Sequence, residues 1–122
     1  MKKSALVVED NAEVRKLIRM TLEISDLEVY EADSGENGIR MVIDLHPDIV
    51  LMDIMMPGQI DGLQACRRIK DHPSLSSTPV ILLTARGQQN DIKAGKDAGA
   101  NEYLVKPFSP LQLLDSVQRL MS

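Results

Sequence analysis

Three uninterrupted apolar runs constrain this chain more than any other feature: Ala5-Leu6-Val7-Val8, Ile49-Val50-Leu51-Met52 and Val80-Ile81-Leu82-Leu83. A surface helix would interrupt such runs with polar positions, and a strand with one wet face would alternate. Runs with neither pattern read as strands covered on both faces, as in a parallel sheet. Polar residues follow at once: Glu9-Asp10, Asp53 and Thr84. A parallel sheet gathers the carboxyl ends of its strands on one rim, where open α/β sheets bind their ligands. Asp53 closes its strand shortly before Pro57, which stops further pairing. If the strands ending in Glu9-Asp10 and Asp53 are neighbours, three carboxylates converge on one small site.

Helical patterns alternate with the apolar runs from end to end. Asn11 can cap a helix over about 12–24, with Val14, Leu17, Ile18, Thr21 and Leu22 on its inner face. Leu27 to Ala32 alternates more, which places it at a sheet edge. Asp33 with Glu36 reads as a capping box for a helix through Leu45, with Ile39, Val42 and Ile43 inward and His46-Pro47 ending it. Pro57-Gly58-Gln59-Ile60-Asp61-Gly62 is loop chemistry. A helix over about 62–70 turns Leu63, Cys66 and Ile69 inward, and residues 71–79 form a surface connection. A weaker helix over about 88–98 contains Gly95, at a cost of roughly 1 kcal/mol against alanine, and Gly99 closes it. Tyr103-Leu104-Val105 is the fifth strand, ending at Lys106-Pro107. Ser109 and Gln112 make a capping box with Pro110 in the first turn. The last helix is expected to bury Leu111, Leu114, Val117 and Leu120 or Met121. Five strands and five helices in strict alternation imply right-handed crossovers and a three-layer α/β/α fold, a doubly wound five-stranded parallel sheet.

At 122 residues and 43% hydrophobic, the chain suits one domain with one core. Its net charge of −4 argues against a nucleic-acid surface. No apolar run approaches membrane-spanning length, and two lysines lead directly into the first strand without a signal-peptide core. The single cysteine, Cys66, fits a reducing, cytoplasmic setting. His46 and His72 each precede proline in loops and stand apart from the acids.

Four strand ends supply polar groups to one rim: Glu9-Asp10, Asp53, Thr84 and Lys106. Three acids brought together repel. A divalent cation relieves this, and an oxygen site with open positions suits Mg²⁺, which completes its shell with water and phosphate. The Lys106 ammonium adds a compact charge for a phosphoryl oxygen, and the Thr84 hydroxyl can donate to another. Asp53 then has the setting of a carboxylate nucleophile that forms an acyl phosphate.

These motifs strongly resemble the receiver domain of two-component response regulators. The matching residues are Val7-Val8-Glu9-Asp10-Asn11, Leu51-Met52-Asp53-Ile54-Met55-Met56-Pro57, Asp61-Gly62, Leu83-Thr84-Ala85, Gly99-Ala100 and Lys106-Pro107-Phe108. They span essentially the whole chain, which implies a single receiver domain over 1–122 with the flavodoxin-like strand order 2-1-3-4-5. The resemblance implies that Asp53 accepts a phosphoryl group from a histidine kinase or a histidine phosphotransfer protein. Asp10, Asp53 and the Met55 carbonyl would hold Mg²⁺, with Glu9 acting through metal-bound water. Thr84 and Lys106 would contact the phosphoryl group. Tyr103 would change rotamer as the surface of the fourth helix, fifth strand and fifth helix responds. Such a domain phosphorylates and dephosphorylates itself but is not a conventional enzyme. With no output domain expected in this chain, output would pass to a protein partner, a homodimer or a missing segment.

Two departures stand out. Glu9 replaces the more usual aspartate, and the loop 57–62 is one residue longer than the common Pro-Gly-x-Asp-Gly pattern. Met55 and Arg86, two residues beyond Asp53 and Thr84, occupy positions that tune phosphoryl lifetime in this family. An aspartyl-nucleophile phosphatase of the haloacid-dehalogenase type is the alternative from the enzyme class. It would require a second aspartate where Met55 stands. A phosphorylation-independent relative would be expected to have lost an acid, the threonine or the lysine.

Overall fold

The computed structural model describes residues 2–85 and 89–121, with residues 89–92 as backbone only. Strands and helices alternate strictly along the chain. The strands are β1 (Ser4–Val8), β2 (Glu28–Ala32), β3 (Ile49–Asp53), β4 (Val80–Ala85) and β5 (Glu102–Lys106). The helices are α1 (Ala12–Ile24), α2 (Gly35–Leu45), α3 (Gly62–Asp71), α4 (Gln89–Asp97) and α5 (Pro110–Met121). All neighbouring strands pair parallel in the order β2-β1-β3-β4-β5. The expected fold and strand order are therefore present, with the alternating strand β2 at one edge.

The three apolar runs fill the middle of the sheet and are wholly buried. Alternate residues face opposite sides, as a period of two requires. Leu6, Val8, Val50, Met52 and Leu82 join one apolar layer with Cys66 and Ile69 of α3. Ala5, Val7, Leu51, Ile81 and Leu83 join the other with Ile18 and Leu22 of α1 and Leu113 and Val117 of α5. Low aromatic content thus gives two thin aliphatic layers, one on each face.

Several local readings are corrected. Ser34, not Asp33, caps α2, its side chain accepting from Asn37 N at 3.1 Å. Glu36 is consequently free to reach outside its own helix. In α5, Leu113, Ser116 and Val117 are buried while Leu111 is 78% exposed. On α1, Leu17 is 65% exposed, leaving Ile18 and Leu22 as the buried contacts. Ile43 also faces outward, and Leu75 anchors the 71–79 connection from inside. The Ser109–Gln112 box does form, with reciprocal bonds of 2.8 and 3.1 Å. Gly99 closes α4 with φ of +90°. Arg86 and the expected start of the fourth helix at residue 88 lie outside the described residues.

Candidate functional site

The β1–β3 pairing sets Val8 beside Met52. Glu9 and Asp10, just past the end of β1, therefore meet Asp53 at the tip of β3. One oxygen from each of Glu9, Asp10 and Asp53 lies within 4.8 Å of the others. Glu9 is 1% exposed and Asp53 7%, whereas Asp10 is open to solvent. On the other side, β3 pairs with β4 so that Asp53 stands beside Leu83, putting Thr84 one residue further along the rim. Lys106 ends β5 and reaches back across the rim. Its Nζ donates to Glu9 Oε1 at 2.8 Å and sits 3.2 Å from Asp53 Oδ1.

The electrostatics follow from this crowding. Burial first, and the Asp53 carboxylate next, raise the pKa of Glu9 above the ordinary glutamate value, against the pull of Lys106. Burial and then Glu9 likewise raise Asp10. Burial works against the charge on Lys106, but Glu9 and Asp53 outweigh it and hold its pKa above the usual lysine value. Two buried polar atoms have no hydrogen-bond partner among the described residues: Glu9 Oε2 and Thr84 Oγ1. Buried polar groups are rarely left so, and an unsatisfied one calls for a water, an ion or a ligand to complete its network. A hard divalent cation fits the donor set, because the oxygens are carboxylates and one remains unused.

Met55 is largely exposed just beyond Asp53. Tyr103 is half-buried on β5 opposite Leu82, and Val105 stands opposite Thr84. By the two-residue period Tyr103 and Thr84 share a face of the sheet. Lys96 Nζ lies 6.0 Å from the Tyr103 ring centre.

Three contributors to this rim were not legible as such. Gly62 packs α3 directly under the end of β3, where a Cβ would meet the Asp53 carbonyl oxygen at 2.0 Å. Glu36 Oε1 accepts from Ile60 N at 2.9 Å, tying the 57–62 loop to α2. Arg15 Nη1 donates to the Glu9 carbonyl at 2.8 Å. The Asp-Gly pair at 61–62 offered a signal for the first; the other two act on main chain outside their own helices, which helical spacing does not announce.

A five-stranded, doubly wound sheet with an acid cluster, a hydroxyl and an ammonium on its carboxyl rim defines a class, the receiver-type α/β fold. Residues 5–118 match the family model for the response regulator receiver domain, and the chain belongs to that family. It is similar to the transcriptional regulatory protein ResD of Bacillus subtilis, with 40% identity over 116 residues, 95% of this chain and 47% of ResD. The chain spans about half the length of the curated relatives it matches. A crystal structure of a putative response regulator from Chloroflexus aurantiacus superposes with a TM-score of 0.95 at 35% identity, covering 99% of this chain and 98% of that one. The receiver domain of a sensor histidine kinase from Pseudomonas aeruginosa, solved with magnesium coordinated in its active-site cleft, gives 0.90 at 31% identity over 99% and 98% of the two chains.

Proposed function

We propose that this chain is a phosphorylation-switched signalling domain of a two-component phosphorelay, with Asp53 as the phosphoryl acceptor. One observation carries the reading: Asp53 sits 3.2 Å from the Lys106 ammonium, inside a cluster with Glu9 and Asp10. The donor is a phosphohistidine of a kinase or phosphotransfer protein. A carboxylate oxygen of Asp53 forms the new O–P bond as the N–P bond breaks, and the electron pair returns to the imidazole nitrogen. Asp10, Asp53 and the Met55 carbonyl would hold Mg²⁺, with Glu9 acting through its water. Bound there, the ion neutralises phosphoryl oxygens and lowers the repulsion the acids impose on an incoming anion. Lys106 is positioned to exchange its bond to Asp53 for one to a phosphoryl oxygen. The Thr84 hydroxyl, buried without a partner among the described residues, donates to another.

Once Thr84 is drawn to the phosphoryl group, the space on its face of the sheet changes and Tyr103 turns inward. The surface of α4, β5 and α5 is then what a partner protein, a second copy or an attached output domain reads. That is a local charge change biasing a two-state element. The chain acts only on its own phosphoryl group and turns over no external substrate. No helix among the described residues is long and apolar enough to cross a membrane. We place its action in the cytoplasm, without direct nucleic-acid contact.

The test is incubation with a small acyl phosphate and Mg²⁺, read by intact mass. Wild type gains one phosphoryl group that chelator prevents, and Asp53→Asn gains none. Equal labelling of both proteins would sink the assignment.

A further inference from the structure

β1 ends at Val8, so the main chain of Glu9 lies past the last rung of the β1–β3 pairing. Its N–H still reaches the sheet, donating to the Ala32 carbonyl at 3.0 Å. Its carbonyl meets Arg15 instead, whose Nη1 stands 2.8 Å away. The same guanidinium donates through Nε to Glu31 Oε1 at 2.9 Å. Arg19 holds the other Glu31 oxygen at 2.8 Å. Glu31 is kept ionised, because Arg19 chiefly, and Arg15 with it, lower its pKa against the effect of burial. The backbone of Arg15 is fixed too, its N–H donating to the Asn11 carbonyl at 2.9 Å just inside the capped start of α1.

From this geometry we infer that Arg15 is a positioning residue for the acid cluster. It pins the Glu9 carbonyl and so sets how Glu9 and Asp10 present their carboxylates to a divalent cation beside Asp53. The inference rests on the function proposed above, because it assigns Arg15 to the metal-dependent step. Three carboxylates within 4.8 Å push one another apart. Lys106 holds the Glu9 side chain, but the Glu9 main chain past β1 is tied to the sheet by one N–H, and a segment so held would yield to that push. Arg15 closes the other side with a charge-assisted bond to the carbonyl, and Glu31 aims the fork. Lysine carries its donors on a single nitrogen without the guanidinium's planar fork, so it would hold the Glu9 carbonyl and Glu31 together less well. Groups that orient a metal's ligands without touching the metal typically change affinity by about 10- to 100-fold when removed.

A purely architectural Arg15, tying α1 to β2 through Glu31, predicts something different, and Arg19 separates the two. Arg19 shares Glu31 and flanks the same helix but does not reach Glu9. Mg²⁺ is titrated calorimetrically into wild type, Arg15→Ala, Arg15→Lys and Arg19→Ala, with urea midpoints measured in chelator. Arg15→Ala should bind Mg²⁺ about 10-fold more weakly. Arg15→Lys should recover part of that loss, and Arg19→Ala should keep wild-type affinity despite a lowered urea midpoint. Unchanged affinity in Arg15→Ala, or equal losses in Arg15→Ala and Arg19→Ala, overturns the inference while leaving the proposed function standing. If Arg15→Ala does not fold, wild-type affinity in Arg15→Lys overturns it equally. A wild-type chain that binds no Mg²⁺ overturns the proposed function and this inference together.

Discussion

A Cβ at Gly62 would stand 2.0 Å from the carbonyl oxygen of Asp53 and 2.8 Å from the Ile54 Cα. Both obstacles are backbone, so no side-chain rotation relieves the clash. Its N–H also donates to the Ile54 carbonyl at 2.9 Å, holding the start of α3 against the strand that carries Asp53. Gly62→Ala should therefore cost ~3 kcal/mol by urea denaturation, at the upper end for overpacking, and slow labelling of Asp53. Cys66 offers a second residue-scale test. Burial raises its thiol to about 11, with Lys70 and Arg67 pulling weakly the other way. A pKa raised on folding leaves stability intact below the unfolded value near 9 and removes it as pH climbs toward about 11. The expected loss across that window is on the order of 2 kcal/mol. It should be visible as a falling urea midpoint that Cys66→Ala does not share; a parallel decline in both proteins would contradict it. At this scale Asp53, Thr84 and Lys106 were legible because each closes an apolar run, so strand position and chemistry coincide. Gly62 and Arg15 were not, because what they do is set by main chain elsewhere in the sequence.

The 57–62 loop is held as a unit by α2. Ile60 is buried, its N–H donates to Glu36 Oε1 at 2.9 Å, and a Cβ at Gly58, with φ of +119°, would press on the same carboxylate. Gly35, in the first turn of α2, leaves room for the Ile60 side chain. The loop beside Asp53 is thus clamped to the sheet's flanking helix. Glu36→Ala should leave the Ile60 N–H without its acceptor, costing about 1 kcal/mol. Amide hydrogen exchange at Ile60 should speed up while exchange in β3 stays slow. Unaltered exchange at Ile60 would show that the loop is held by packing alone. The sequence suggested Glu36 as the partner of an Asp33 cap; in the structure Ser34 is the cap, and Glu36 reaches across to Ile60 N instead, a tertiary contact the local pattern does not announce. The register of α5 was hidden similarly. Leu113, Ser116, Val117 and Leu120 form one stripe, but its middle is a serine whose hydroxyl donates to Glu102 Oε1 at 3.1 Å. An apolar count passes over that position and slides the stripe onto Leu111.

Across the whole molecule, order and layering were legible because three uninterrupted apolar runs fit central strands of a parallel sheet and alternate with helical patterns. That three acids meet at one rim was legible too; what the pattern could not show is how deeply Glu9 and Asp53 are buried there. Glu9 and Asp10 have raised pKa values, the first from burial and Asp53, the second from burial and Glu9. A folded pKa above the unfolded one means that stability is fully present at low pH and is lost as pH rises through the folded value. At neutral pH the metal-free fold therefore carries the cost of burying these charges and of their mutual repulsion, with Lys106 offsetting only part of it. A ligand that binds the folded state alone returns stability by mass action, about 2.7 kcal/mol at a hundredfold excess over its dissociation constant. Mg²⁺ should raise the urea midpoint of wild type at pH 7 by an amount that grows with its concentration, and a chelator should reverse this. Asp10→Asn removes one repelling charge at an exposed position. Without metal it should be at least as stable as wild type at pH 7, yet gain far less from Mg²⁺. A variant destabilised in chelator but equally responsive to Mg²⁺ would show that Asp10 supports the fold and does not serve the cation.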